Sequence, residues 1–128
     1  MKALFLCLFL LISSLAFSQR FYDGSGRQVA RFDDNRIYNA SGHQIGRIDA
    51  DRIYDASGHQ VGRVDGNNFY DGSGQQIGRA DGNHLYNGSG KQVGRLDGDF
   101  LYDGSGHQIG RADGLRRIQI IIFFYYFY

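Results

Sequence analysis

The chain contains no proline, no tryptophan and, because all thirteen acids are aspartate, no glutamate. Each absence excludes something. Without proline, no ladder of strands is interrupted, but no exposed edge is guarded either. Without tryptophan, the Trp-rich sugar pockets of aromatic cell-wall-binding repeats are ruled out. Without glutamate, the bidentate ligand of a helix–loop–helix calcium site is missing. Cysteine occurs once, as Cys7. It lies inside an N-terminal apolar run, so the mature chain is expected to lack disulfides and to depend on packing and backbone pairing. Charge of one sign is also lacking, with a formal net charge of +1. A balanced chain argues against bulk electrostatic binding of nucleic acid or of an anionic membrane.

Residues 1–18 read as a cleaved signal peptide. Lys2 gives a positive start, Ala3 to Ile12 form a short apolar run, and Ala16-Phe17-Ser18 supplies small residues before Gln19. The run is too short to span a bilayer as an ordinary helix. Cleavage after Ser18 places the mature protein outside the cell or in the periplasm and cell envelope. It also removes Lys2, leaving thirteen basic residues against thirteen aspartates.

What is present is a repeat. A sixteen-residue unit begins at Phe21, Ile37, Ile53, Phe69, Leu85 and Leu101. It reads apolar, Tyr, Asp/Asn, Gly/Ala, Ser, Gly, variable, Gln, Ile/Val, Gly/Ala, Arg, apolar, Asp, usually Gly, polar, variable. Strict internal period fixes an architecture before any other argument. Recurrent Gly disfavours long helices, whereas Asp-Gly or Asn-Gly between β-formers signals hairpins. The expected fold is therefore all-β: a closed antiparallel meander of about twelve short strands, spanning 19–114, around a central axis. Taking Gly66-Asn67 as a two-residue loop sets Val64 opposite Phe69, Arg63 opposite Tyr70, and Gly62 opposite Asp71. One face then carries apolar pairs. The other carries Arg47/Tyr54, Arg63/Tyr70, Arg79/Tyr86 and Arg95/Tyr102, together with Arg31/Tyr38 and the Val/Ile series from Val29 to Ile109. Tyr22 and Arg111 are left for each other if the terminal strands close the ring. The strand glycines 46, 62, 78, 94 and 110 call for a bend or a close backbone approach.

Residues 115–128 break the repeat. After Arg116-Arg117, the run Ile118 to Tyr128 is apolar on all sides and must be buried or bound. A lone strand inside a ring would leave backbone groups unpaired, whereas a helix satisfies its own. Eleven helical residues span roughly 16 Å, close to the length of strands of five or six residues, roughly 17–20 Å. A helix filling the centre is favoured over an added strand, although Ile and aromatics prefer strands and two arginines oppose the helix dipole.

Chemistry is sparse. His43, His59 and His107 share a slot with Arg27, Gln75 and Lys91, as a solvated turn would, and His84 stands apart. Each repeated Ser sits in a Gly-rich turn with no unique base or orienting acid. Asp and Asn are ordinary turn residues, so no metal, cofactor or catalytic residue is expected. The Arg/Tyr layer is the candidate binding surface; its alternative role is to hold the sheet by stacking and by pairing with Asp. The repeated Gln, from Gln28 to Gln108, reads as a structural hydrogen-bonding position. The expected function is a non-enzymatic structural or binding protein, monomeric, that engages a protein or glycan through its turn rims. The alternatives are an envelope-associated protein docking through its aromatic tail, and a calcium-dependent module.

The unit Tyr-Asp-Gly-Ser-Gly-x-Gln-Ile-Gly-Arg-x-Asp-Gly, followed by Arg-Arg-Ile-Gln-Ile-Ile-Ile-Phe-Phe-Tyr, resembles the β-flower proteins, and is most similar to the five-fold type. The resemblance implies hairpin petals around a symmetry axis and carries no established activity. Two features depart from it. Six repeats are present, so a five-fold count would put the terminal half-repeats outside the regular petals or make them a closing element. Asp33-Asp34-Asn35 and Asp49-Ala50-Asp51 lack the usual turn Gly, which points to irregular early petals.

Overall fold

The computed structural model describes residues 19–128, and the expected leader lies outside the described residues. Twelve strands run in sequence order: β1 (Arg20–Asp23), β2 (Gln28–Asp33), β3 (Arg36–Asn39), β4 (Gln44–Asp49), β5 (Arg52–Asp55), β6 (Gln60–Asp65), β7 (Asn68–Asp71), β8 (Gln76–Asp81), β9 (His84–Asn87), β10 (Gln92–Asp97), β11 (Phe100–Asp103) and β12 (Gln108–Asp113). They close into an antiparallel barrel, each strand pairing with its sequence neighbours and β1 pairing with β12. Closure leaves no sheet edge to attract another chain.

The two-residue loops set the expected register: Val64 pairs with Phe69, Arg63 with Tyr70, and Gly62 with Asp71. Five hairpins are continuous, and the sixth is assembled from the two ends, Tyr22 lying opposite Arg111. Between hairpins the register shifts at every junction. Ile37 faces Gly46 but Tyr38 faces Gln44, leaving Ile45 without a direct partner. Such bulges increase twist and bend the sheet, which a small closed ring requires. Of the Val/Ile residues at these junctions, Val29, Ile45, Val61, Ile77 and Ile109 are half-buried and pack against the core.

The early petals are not irregular. Asp34 and Ala50 take φ of 57° and 56°, matching the 60° of Gly66, Gly82 and Gly98 in the equivalent turns. The turn keeps its shape, and the side chain bears the left-handed backbone strain.

The tail is a helix, α1 (Arg117–Tyr126), and it fills the barrel. Gln119 to Phe123 are buried, against a wall formed by Phe21, Ile37, Ile53, Phe69, Leu85 and Leu101. The start of the helix is held by one backbone and one side-chain contact. The Arg116 amide donates to Gln119 Oε1 at 2.8 Å, and the Arg117 guanidinium donates to the Gly82 carbonyl on the rim. The strand glycines lie beside the bulges, where the expected bend occurs, and they have a second purpose, since side chains also approach them closely. A Cβ on Gly46 would overlap the Phe127 ring, on Gly62 that of Tyr126, on Gly78 that of Tyr125, and on Gly110 that of Phe21. At Gly94 it would stand 3.1 Å from Phe124. Five glycine slots thus receive five aromatic rings, and Ala30 occupies the sixth.

Two stability series follow. Gly62→Ala and Gly78→Ala should each lose about 1–3 kcal/mol by overpacking, while Gly94→Ala loses least; equal losses across the three in urea melts would contradict the ring-in-slot packing. Ala50→Gly should gain about 1 kcal/mol by relieving the left-handed alanine, and a loss would show that the turn is unstrained.

Candidate functional site

With the interior filled, the outer strand face and the turn rims carry what the protein presents to solvent. The four Arg/Tyr pairs of the candidate surface meet, with guanidinium carbons 4.2–4.6 Å from the ring centroids of Tyr54, Tyr70, Tyr86 and Tyr102. Arg31 covers Tyr38 at 4.3 Å, and Arg111 covers Tyr22 at 4.4 Å across the closing seam. Each such contact contributes about 0.5–1 kcal/mol at an exposed site. Arg31, Arg47, Arg63, Arg79 and Arg95 also stand 3.6–4.0 Å from the aspartate two residues on. These are exposed pairs, each worth about 0–1 kcal/mol.

The pairs belong to longer rows that cross the strands obliquely because of the bulges. Asp33, Arg36, Arg47, Tyr54 and Gln60 are successive cross-strand neighbours on β2 to β6. The next row is Asp49, Arg52, Arg63, Tyr70 and Gln76. Every row reads Asp, x, Arg, Tyr, Gln. Position x is the last residue of the repeat, which the period alone marks only as variable. Around the ring it is Arg20, Arg36, Arg52, Asn68, His84 and Phe100. This is where the six rows differ chemically, and its cross-strand setting becomes visible only after the inter-hairpin register is known.

The turns at the opposite rim are built by one acceptor each. The side-chain Oδ1 of Asp23, Asn39, Asp55, Asp71, Asn87 or Asp103 accepts the backbone N–H groups two and four residues on, at 2.9–3.0 Å. Asp and Asn interchange because the geometry needs only that oxygen. The hydroxyls of Ser25, Ser73 and Ser89 donate to the same oxygens, at 2.8–3.0 Å, so these serines complete turns. Hydrogen bonds from the Ser25 and Ser73 hydroxyls hold the pKa of Asp23 and Asp71 below the ordinary carboxylate value, and the His107 backbone amide does the same for Asp103. His59 and His107 each lie within 3.8 Å of their own turn aspartate. Among the described residues, no three His, Cys, Asp or Glu side chains gather as a metal site.

Inside, Tyr125 donates its hydroxyl to the Tyr86 carbonyl at 2.7 Å, and Tyr126 donates to the Tyr70 carbonyl at 2.7 Å. Burial pushes both phenols up to about 12.

A family model described as 5-fold beta-flower protein matches residues 18–128. The chain belongs to the five-fold β-flower family. This β-flower has five continuous hairpins and a sixth petal closed by its two ends, so the terminal half-repeats are the closing element. The β-flower fold is a structural repeat. No curated protein and no solved structure matches the chain.

The plug tyrosines predict an alkaline transition. Their folded values lie above the ordinary 10, so their stabilisation is complete below pH 10 and is lost as pH rises to about 12. The melting temperature should fall over that interval, and Tyr125→Phe/Tyr126→Phe should flatten the fall while costing about 1 kcal/mol per hydroxyl at neutral pH. An unchanged alkaline profile in the double variant would place the titrating groups elsewhere.

Proposed function

We propose that this β-flower is an extracytoplasmic, non-enzymatic binding scaffold that engages a glycan or protein through its outer rows and turn rims. The observation that carries the reading is the filled centre. Gln119 to Phe123 occupy the position where a barrel ligand would sit, so recognition falls to the outside. The Arg/Tyr rows there are rigid, because each guanidinium is stacked on a ring and each ring stands on a closed sheet. Rigid side chains lose little entropy on binding. The same burial weighs against the tail as a membrane-docking segment, since Ile120 to Phe123 cannot face lipid while filling the core. The turn aspartates already hold backbone amides, which supports a calcium-independent role.

Glycan-array and pull-down screens with the purified protein test the reading. Binding is expected to survive chelation of calcium and to weaken in Arg63→Ala and Arg79→Ala. An array and a pull-down that are both empty, with the protein folded, would overturn it.

A further inference from the structure

We propose that the half of the ring formed by β1 to β6 binds an acidic polysaccharide through three pairs of opposed arginines. The inference rests on the scaffold reading above and names its ligand class. In three consecutive rows the variable position is arginine and stands directly opposite the row's conserved arginine: Arg20 faces Arg31, Arg36 faces Arg47, and Arg52 faces Arg63. Like charges opposed across strands destabilise a sheet. The fold does not require them, because the corresponding positions on β7, β9 and β11 are Asn68, His84 and Phe100. Paired guanidinium groups present planar forks of N–H donors matched to carboxylate or sulfate. The aspartate neighbours of Arg31, Arg47 and Arg63 lie 3.6–4.0 Å away, beyond the roughly 2.7–2.9 Å of a charge-assisted hydrogen bond. Arg20, Arg36 and Arg52 stand opposite Asp113, Asp33 and Asp49 on their other side and are exposed to solvent.

The shape of the array selects the ligand. Successive pairs are two strands apart, about 9–10 Å, and face progressively different directions around the barrel. Six of the twelve strands carry them, so they cover half the circumference. A flat bilayer cannot touch all three at once, whereas a flexible charged chain can follow them. Nucleic-acid bases would need open aromatic faces for stacking, and each row tyrosine has one face covered by its arginine. A saccharide chain with one anionic group per residue or two meets both conditions.

Polygalacturonate, neutral dextran, phosphatidylglycerol vesicles and a single-stranded oligonucleotide are titrated into the protein at low and moderate salt. The repeat supplies its own conservative variants. Arg36→Asn/Arg52→Asn installs the residue found at Asn68, and Asn68→Arg extends the array to a fourth row. Polygalacturonate should bind and dextran should not. The double variant, with a melting temperature no lower than the parent's, should bind roughly tenfold more weakly, as for loss of a charge-assisted contact. Asn68→Arg should bind more tightly. Equal affinity of the double variant and the parent overturns the proposal, as does tighter binding of the vesicles or the oligonucleotide. Capture of a neutral glycan or a protein without polygalacturonate binding overturns it and leaves the scaffold reading standing; binding to nothing overturns both.

Discussion

Rings from the plug enter glycine slots in the wall, and the rest of the molecule depends on that contact. A closed ring of short strands leaves an axial space that must be filled without stranding polar backbone groups. A helix meets that condition, because its amides and carbonyls bond within the helix. Ile120 to Ile122 fill the middle of the barrel, and Phe124 to Phe127 splay outward to the wall. Consecutive rings serve consecutive hairpins in reverse order, Phe124 at Gly94, Tyr125 at Gly78, Tyr126 at Gly62 and Phe127 at Gly46. A slot with a Cβ would hold its ring away from the wall and open a void. The glycines that weaken each strand in isolation are the ones that let the core close.

The filling of the centre also divides the molecule by function. Inward positions are committed to packing. Outward positions carry stacked Arg/Tyr pairs that brace the sheet in every row, plus one position with no common structural task. That position, from Arg20 round to Phe100, breaks the chemical symmetry of the ring while leaving its backbone unchanged. A repeat scaffold can therefore vary recognition at one slot per row without disturbing the layers beneath it.

Much of the fold is legible in the sequence, and the reasons are local. The Gly66-Asn67 loop fixes which residues oppose one another, and one hairpin fixes the next because the unit recurs. Tyr22 and Arg111 point to closure because each lacks the partner every other copy has. The turn residues Asp34 and Ala50 mislead, because sequence reads missing glycine as altered geometry, whereas a closed ring holds the turn in shape. The rows are hidden for a related reason. Period alone does not show how one hairpin registers against the next, since a bulge removes a residue from the count.

The sequence by itself therefore determined the strands, the turns, the in-hairpin register and the placing of apolar and Arg/Tyr residues on opposite faces, all of which depend on neighbours a few residues apart. Only the tertiary structure decided which ring enters each strand-glycine slot and the opposition of Arg36 to Arg47 and Arg52 to Arg63. The glycine slots and their rings meet from up to eighty-nine residues apart, as Gly110 and Phe21 do. The tail is β-prone by composition and becomes helical because only a self-satisfied backbone fits an enclosed axis.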